Sequence, residues 1–164
     1  MPKIYIADVR KEDVPIPAPV PEPVEDKLFR LIRDSDIQQR DRSKMVRHPL
    51  LDQAAQRKAN DMAAKHYFAH TSPSGVSANQ NVRTTGYRLP EWYPLNGNNV
   101  ESLFIGSDLP EDAAGAWLDS DHHRPHVYAE DNFFRNQNCI GTAYAPFPGE
   151  EHRGYWVYLS APCA

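Results

Sequence analysis

The order of periodicities along the chain predicts an α/β fold, a three-layer α/β/α sandwich around a small antiparallel sheet. Three observations carry that expectation. Apolar residues recur at helical spacing between residues 24 and 39 and again from about residue 50. A helix-start signal stands at Asp108-Leu109-Pro110-Glu111. The runs CIGTAYA and YWVYLSA near the end alternate and are rich in aromatic and β-branched residues, so they read as two antiparallel strands. Helices outside a small sheet are the ingredients of a layered sandwich.

Residues 1–25 read as an N-terminal tail and proline-rich linker, and residues 26–164 as one domain. Within the tail, KIYIADV is either a short alternating strand or a flexible segment. Pro15, Pro17, Pro19, Pro21 and Pro23 stand at every second position and exclude helix or central strand. At ~3.1 Å per residue in polyproline II, PIPAPVPEP spans on the order of 28 Å as a semi-rigid spacer. Val24, Leu28, Leu31 and Ile32, with Glu25 and Asp26 in the first turn, predict a helix to about Gln39. After Pro49 a second helix carries Leu51, Ala55, Ala59 and Met62 on one face and ends before the turn-forming run His70-Thr71-Ser72-Pro73-Ser74-Gly75. Residues 76–107 carry turn signals around a strand or two, NVESLFI being the clearest. A third helix, starting at Asp108-Leu109-Pro110-Glu111 and continuing through Ala113, Ala114, Ala116, Trp117 and Leu118, should stop near Asp119, with Ser120 capping a short turn that holds His122 and His123.

The 164 residues suffice for one domain with a core and leave no room for a second. With 18 basic and 22 acidic residues the net charge is −4, which offers no field for nucleic acid or an anionic membrane, and no nucleic-acid partner is expected. The basic run Arg40, Arg42, Lys44, Arg47 is broken by Asp41 and reads as a solvated surface. No apolar run approaches the ~20 residues of a transmembrane helix, and the amino terminus lacks the apolar core of a secretory signal. If the last two strands form a hairpin around FPGEEHRG, Cys139 lies opposite Cys163 or its neighbour, within disulfide reach. The alternative is two free thiols in a reducing compartment. A monomer or weak dimer is expected.

The block YFAHTSPSG resembles the "YFSH-S-P-G" block of the CAP superfamily, the cysteine-rich secretory, antigen 5 and pathogenesis-related proteins with their bacterial SCP-like relatives. Gly86-Tyr87 and Gly97-Asn98-Asn99-Val100 are similar to the family's "aGY … GENI" region, Trp117 to Arg124 to the bacterial "W-x-x-SPGHR" block, and Ile140 to Tyr144 to its "VGVGxA" strand. Together the blocks cover about residues 26–162. The resemblance implies the α/β/α CAP fold, a secreted or cell-surface protein, and a central cleft in which His70 and His123 face each other, sometimes around zinc.

Neutral imidazoles suit such a metal, but the resemblance is incomplete at both acids of the cleft. Asn98 stands where the first is expected, and an amide is no general base. Glu101 lies an odd number of residues further, on the opposite face if the segment is a strand. Ser120 stands where the second is expected, flanked by Asp119 and Asp121. His66 and His70 have the i, i+4 spacing of a zinc helix, yet Tyr67 replaces the glutamate of H-E-x-x-H. His122 and His126 read as exposed companions of His123. The expected function is a binding domain whose cleft, with Asn98 and Ser120 and flanked by Tyr87, Trp92, Tyr93 and Tyr128, receives a small-molecule, lipid or peptide ligand and holds zinc weakly. A metal-dependent hydrolase or peptidase using His70 and His123 is the alternative.

Overall fold

The computed structural model describes residues 15–164. The tail run KIYIADV lies outside the described residues. The proline-rich stretch is exposed and belongs to no helix or strand, and Pro23, with φ −55° and ψ 140°, delivers the chain in polyproline II geometry to helix α1 (Val24–Arg33). Leu28, Phe29 and Ile32 make the buried face of α1. The helix ends at Arg33, short of the expected Gln39, because Asp34, Ser35 and Asp36 favour local turns over continued helix. Gln38 then pins the exit by donating to the Ile32 and Val127 carbonyls at 3.2 Å each.

Strand β1 (Val46–Arg47) leads directly into α2 (Pro49–Lys65), which has Pro49 at its first position and His48 as its cap. Leu51, Ala54, Ala55, Ala59 and Met62 are buried along α2, the face expected from their spacing. A short helix α3 (Ala78–Arg83) follows the His70 turn, where the sequence reading expected only loop. Its signal is local: Ser77 and Gln80 have capping-box spacing, and the Gln80 N–H donates to Ser77 Oγ at 3.1 Å. Strand β2 (Glu101–Ser107) and helix α4 (Pro110–Leu118) come next. Asp108 does not cap α4, since Leu109 occupies that position without a side-chain bond. Helix α5 (Arg124–Val127) and the strands β3 (Cys139–Pro146) and β4 (Arg153–Ala161) complete the domain.

The sheet order is β1-β3-β4-β2. β3–β4 and β4–β2 are antiparallel, but β1 pairs parallel with β3, so the sheet is mixed rather than purely antiparallel. A two-residue strand has no periodicity by which sequence reading could find it. Cys139 opposes Ala161, not Cys163, a register shifted from the expected one; Cys163 lies just past the strand end and still bonds to Cys139 across a Cα separation of 5.1 Å.

Alternation along β4 divides the core in two. Tyr155, Val157 and Leu159 face α2 and α3 with Leu51, Ala59, Met62 and Val82. Trp156 and Tyr158 face α1, α4 and α5 with Leu28, Ile32, Trp117 and Val127. The result is the expected three layers. Helix α2 approaches the sheet closely at Gly141, where an added Cβ would collide with the backbone of Leu51 and Asp52.

Candidate functional site

His70 leaves the α2 layer on the turn after the helix, and His123 leaves the α4 layer on the turn before α5. Both line one cleft of about 210 Å³ with Asn98, Glu101, Ser102 and His126. The first residue of β2, Glu101, forms its floor: its side chain is fully buried, and Oε1 lies 2.9 Å from His70 Nδ1. The parity argument against Glu101 fails for a local reason. Residues 98–100 are not strand; Asn98 Oδ1 accepts from the Val100 N–H at 3.2 Å and the Glu101 N–H at 2.8 Å, a side-chain-closed turn that redirects the chain. The cleft thus holds a carboxylate at Glu101, although Asn98 carries none.

The contact with Glu101 selects the His70 tautomer: with the carboxylate oxygen as acceptor, Nδ1 carries the hydrogen it donates to Glu101. Asn98 Nδ2, 3.3 Å from the same nitrogen, has two hydrogens and donates one of them to the Glu101 carbonyl at 3.1 Å. His70 Nε2 is left with its lone pair. The second carboxylate oxygen, Glu101 Oε2, is buried with no hydrogen-bond partner among the described residues.

His123 has the opposite polarity. Ser120 Oγ accepts the backbone N–H groups of His122 and His123 at 3.3 and 3.2 Å, which fills its lone pairs. Its own hydrogen goes to His123 Nδ1 at 2.9 Å. The proton of this imidazole therefore sits on Nε2. Burial first, then the charges of His70 and His122, hold its pKa below the ordinary 6.5.

Behind them lies a buried polar chain. Gln137 Nε2 donates to the Asn99 carbonyl at 2.9 Å, so its Oε1 faces Ser160, which donates to it at 2.6 Å. Ser160 then accepts from His126 Nε2 at 2.8 Å, and His126 Nδ1 accepts from Ser102 Oγ at 2.7 Å. Arg40 closes the network through the carbonyls of His126, Val127 and Gln137. His126 is therefore buried rather than exposed, and burial, followed by the charge of Arg40, holds its pKa well below 6.5. Arg40 is likewise interior and not part of a solvated basic surface.

The remaining expected residues separate. Tyr87 and Tyr128 are core side chains whose hydroxyls bond the Pro162 and Ala114 carbonyls, and neither reaches the cleft. Tyr93 is buried and bonded to Gln137, while Trp92 is exposed beside Phe133. His66 is the left-handed cap of α2 at φ 54°, so His66 and His70 share no helix face. His122 is exposed at the cleft rim. Among the described residues no three His, Cys, Asp or Glu side chains are gathered as a metal-ligand set. Two imidazoles without a third gathered ligand fall short of the protein ligands of a tetrahedral zinc centre.

A three-layer sandwich with a histidine-lined cleft between its outer layers defines the class of protein. The model of the CAP cysteine-rich secretory protein family matches residues 7–152, and the chain belongs to that family. The chain is 31% identical over 77 residues to uncharacterized protein YkwD of Bacillus subtilis, a stretch covering 47% of this chain and 27% of that relative. Among solved structures, an outer surface protein from Borrelia burgdorferi superposes with a TM-score of 0.53 at 15% identity, over 84% of this chain and 94% of that one. An extracellular SCP-domain protein from Bacillus anthracis gives 0.49 at 16% identity, over 82% of this chain and 39% of its own.

Proposed function

We propose that this CAP domain acts outside the cytoplasm as a binding module, and that its cleft receives a small polar group carrying a donor beside an acceptor, as a peptide amide does. The opposed polarity of the two imidazoles carries the reading: His70 Nε2 accepts and His123 Nε2–H donates. The Cys139–Cys163 bond and the likeness to an outer surface protein support the location. Zinc would find two imidazoles without a free carboxylate, so its binding is weak.

Long-range ¹⁵N–¹H spectra of the imidazoles at pH 7.5 test this. The expected pattern is Nδ1–H for His70 and Nε2–H for His123, with both rings shifting on titration with N-acetylglycine amide and neither response surviving in His70→Ala or His123→Ala. A bare Nε2 on both rings, together with tight zinc binding, would overturn the proposal in favour of a metal centre.

A further inference from the structure

On the far side of the His70 turn a second concavity of about 360 Å³ opens between α2, residues 72–76 and α3. It shares no lining residue with the histidine cleft. Arg57, Lys58 and Lys65 bring three cationic side chains to it, against one lining carboxylate, Asp61, in a chain whose net charge is −4. Asp61 pairs with Lys65 at 2.7 Å. Among the described residues no carboxylate lies within the 4.0 Å of an ion pair from Arg57 or Lys58.

Both unpaired cations are held in place by neutral groups. Arg57 donates through Nε and Nη2 to Asn81 and Thr84, leaving Nη1 without a partner among the described residues. Lys58 is only 5% exposed; Nζ donates to the His70 carbonyl at 3.0 Å and to Tyr67 Oη at 3.3 Å, with one N–H to spare. Tyr67 in turn donates to Asp61 at 2.6 Å, so its oxygen can only accept from Lys58. Ser72 and Ser74 share one hydrogen bond at 3.0 Å, and the second hydroxyl hydrogen of that pair is left over. A nearly buried ammonium without a contacting anion is costly, and an arriving oxyanion offsets that cost.

We propose that this cavity binds a small organic phosphate. Guanidinium and ammonium donors from α2 face hydroxyl donors from residues 72 and 74, which suits the tetrahedral oxygens of a phosphate better than the single plane of a carboxylate. The volume lies within the ~300–1,000 Å³ of small-ligand pockets and exceeds what inorganic phosphate fills. Val76 and the Tyr67 ring supply apolar wall for the organic portion. The assignment stands apart from the histidine cleft, because it uses none of the cleft's lining residues.

Titration of the full chain with phenyl phosphate and with inorganic phosphate, followed by amide NMR and calorimetry at pH 7.5, tests it. Phenyl phosphate should give saturable shifts at residues 57–58, 72–76 and 81–84 and bind several-fold more tightly than inorganic phosphate. Arg57→Gln and Lys65→Gln should each weaken it by about tenfold, the loss of one charge-assisted contact. Arg57 and Lys65 are both exposed, so the test does not depend on substituting a buried position. Lys44→Gln, on an exposed side chain elsewhere, should change nothing. Shifts that do not saturate, or an affinity untouched by Arg57→Gln and Lys65→Gln, would show a diffuse surface effect and end the proposal. Equal binding of the two probes would overturn the organic ligand class.

Discussion

His126 is neutral by construction: burial, followed by the charge of Arg40, opposes its protonation, while Nδ1 receives a hydroxyl hydrogen from Ser102 and Nε2 donates to Ser160. In the unfolded chain it titrates near 6.5. Below that pH the unfolded state takes up a proton that the folded state refuses, so stability is retained above pH 6.5 and lost on acidification. Chemical unfolding at pH 7.5 and 5.5 should show lower stability at the acidic pH, with His123 adding in the same direction. His126→Gln should flatten the dependence between those pH values. None of this was legible in HHRPH, where spacing cannot tell an exposed imidazole from one at the centre of a hydrogen-bond chain. Arg40 was hidden for the same reason: its partners are backbone carbonyls far along the chain. His70 and His123 were legible because their surrounding motifs are local. Glu101 was obscured by assuming a strand where Asn98 closes a turn.

Helix α2 was the most legible element, since its burial follows a regular stripe of small residues, and small residues let a helix lie close to a sheet. Gly141 is the other half of that contact. Its backbone needs no unusual dihedral, yet a methyl group there meets main-chain atoms of Leu51 and Asp52, which cannot move as a side chain tip would. Gly141→Ala should therefore destabilise the domain by about 1–3 kcal/mol, seen as a lower denaturant midpoint with an unchanged slope. A midpoint equal to wild type would mean that α2 can rise off the sheet without cost. The elements that sequence reading missed, β1 and α3, are the short ones, and they form because neighbours hold them. β1 borrows its hydrogen bonds from β3, and α3 has its cap but only six residues.

At the scale of the whole molecule, the Cys139–Cys163 bond ties the chain's end to the first residue of β3, with a sequence separation of 24. Its loop-closure contribution is on the order of 3 kcal/mol. Reduction should lower the unfolding midpoint accordingly, and intact mass after alkylation without reductant should show no modified thiol. The three layers were legible from periodicity, whereas the parallel edge strand and the assignment of the cleft's walls to different layers required coordinates. That last arrangement has a mechanical consequence. His70 belongs to one outer layer, His123 to the other, and Glu101 to the sheet between them. A molecule gripped by both imidazoles is a dowel through a laminate: the outer plies cannot slide past the middle one without first expelling it, so occupancy would register as resistance to shear far from the cleft.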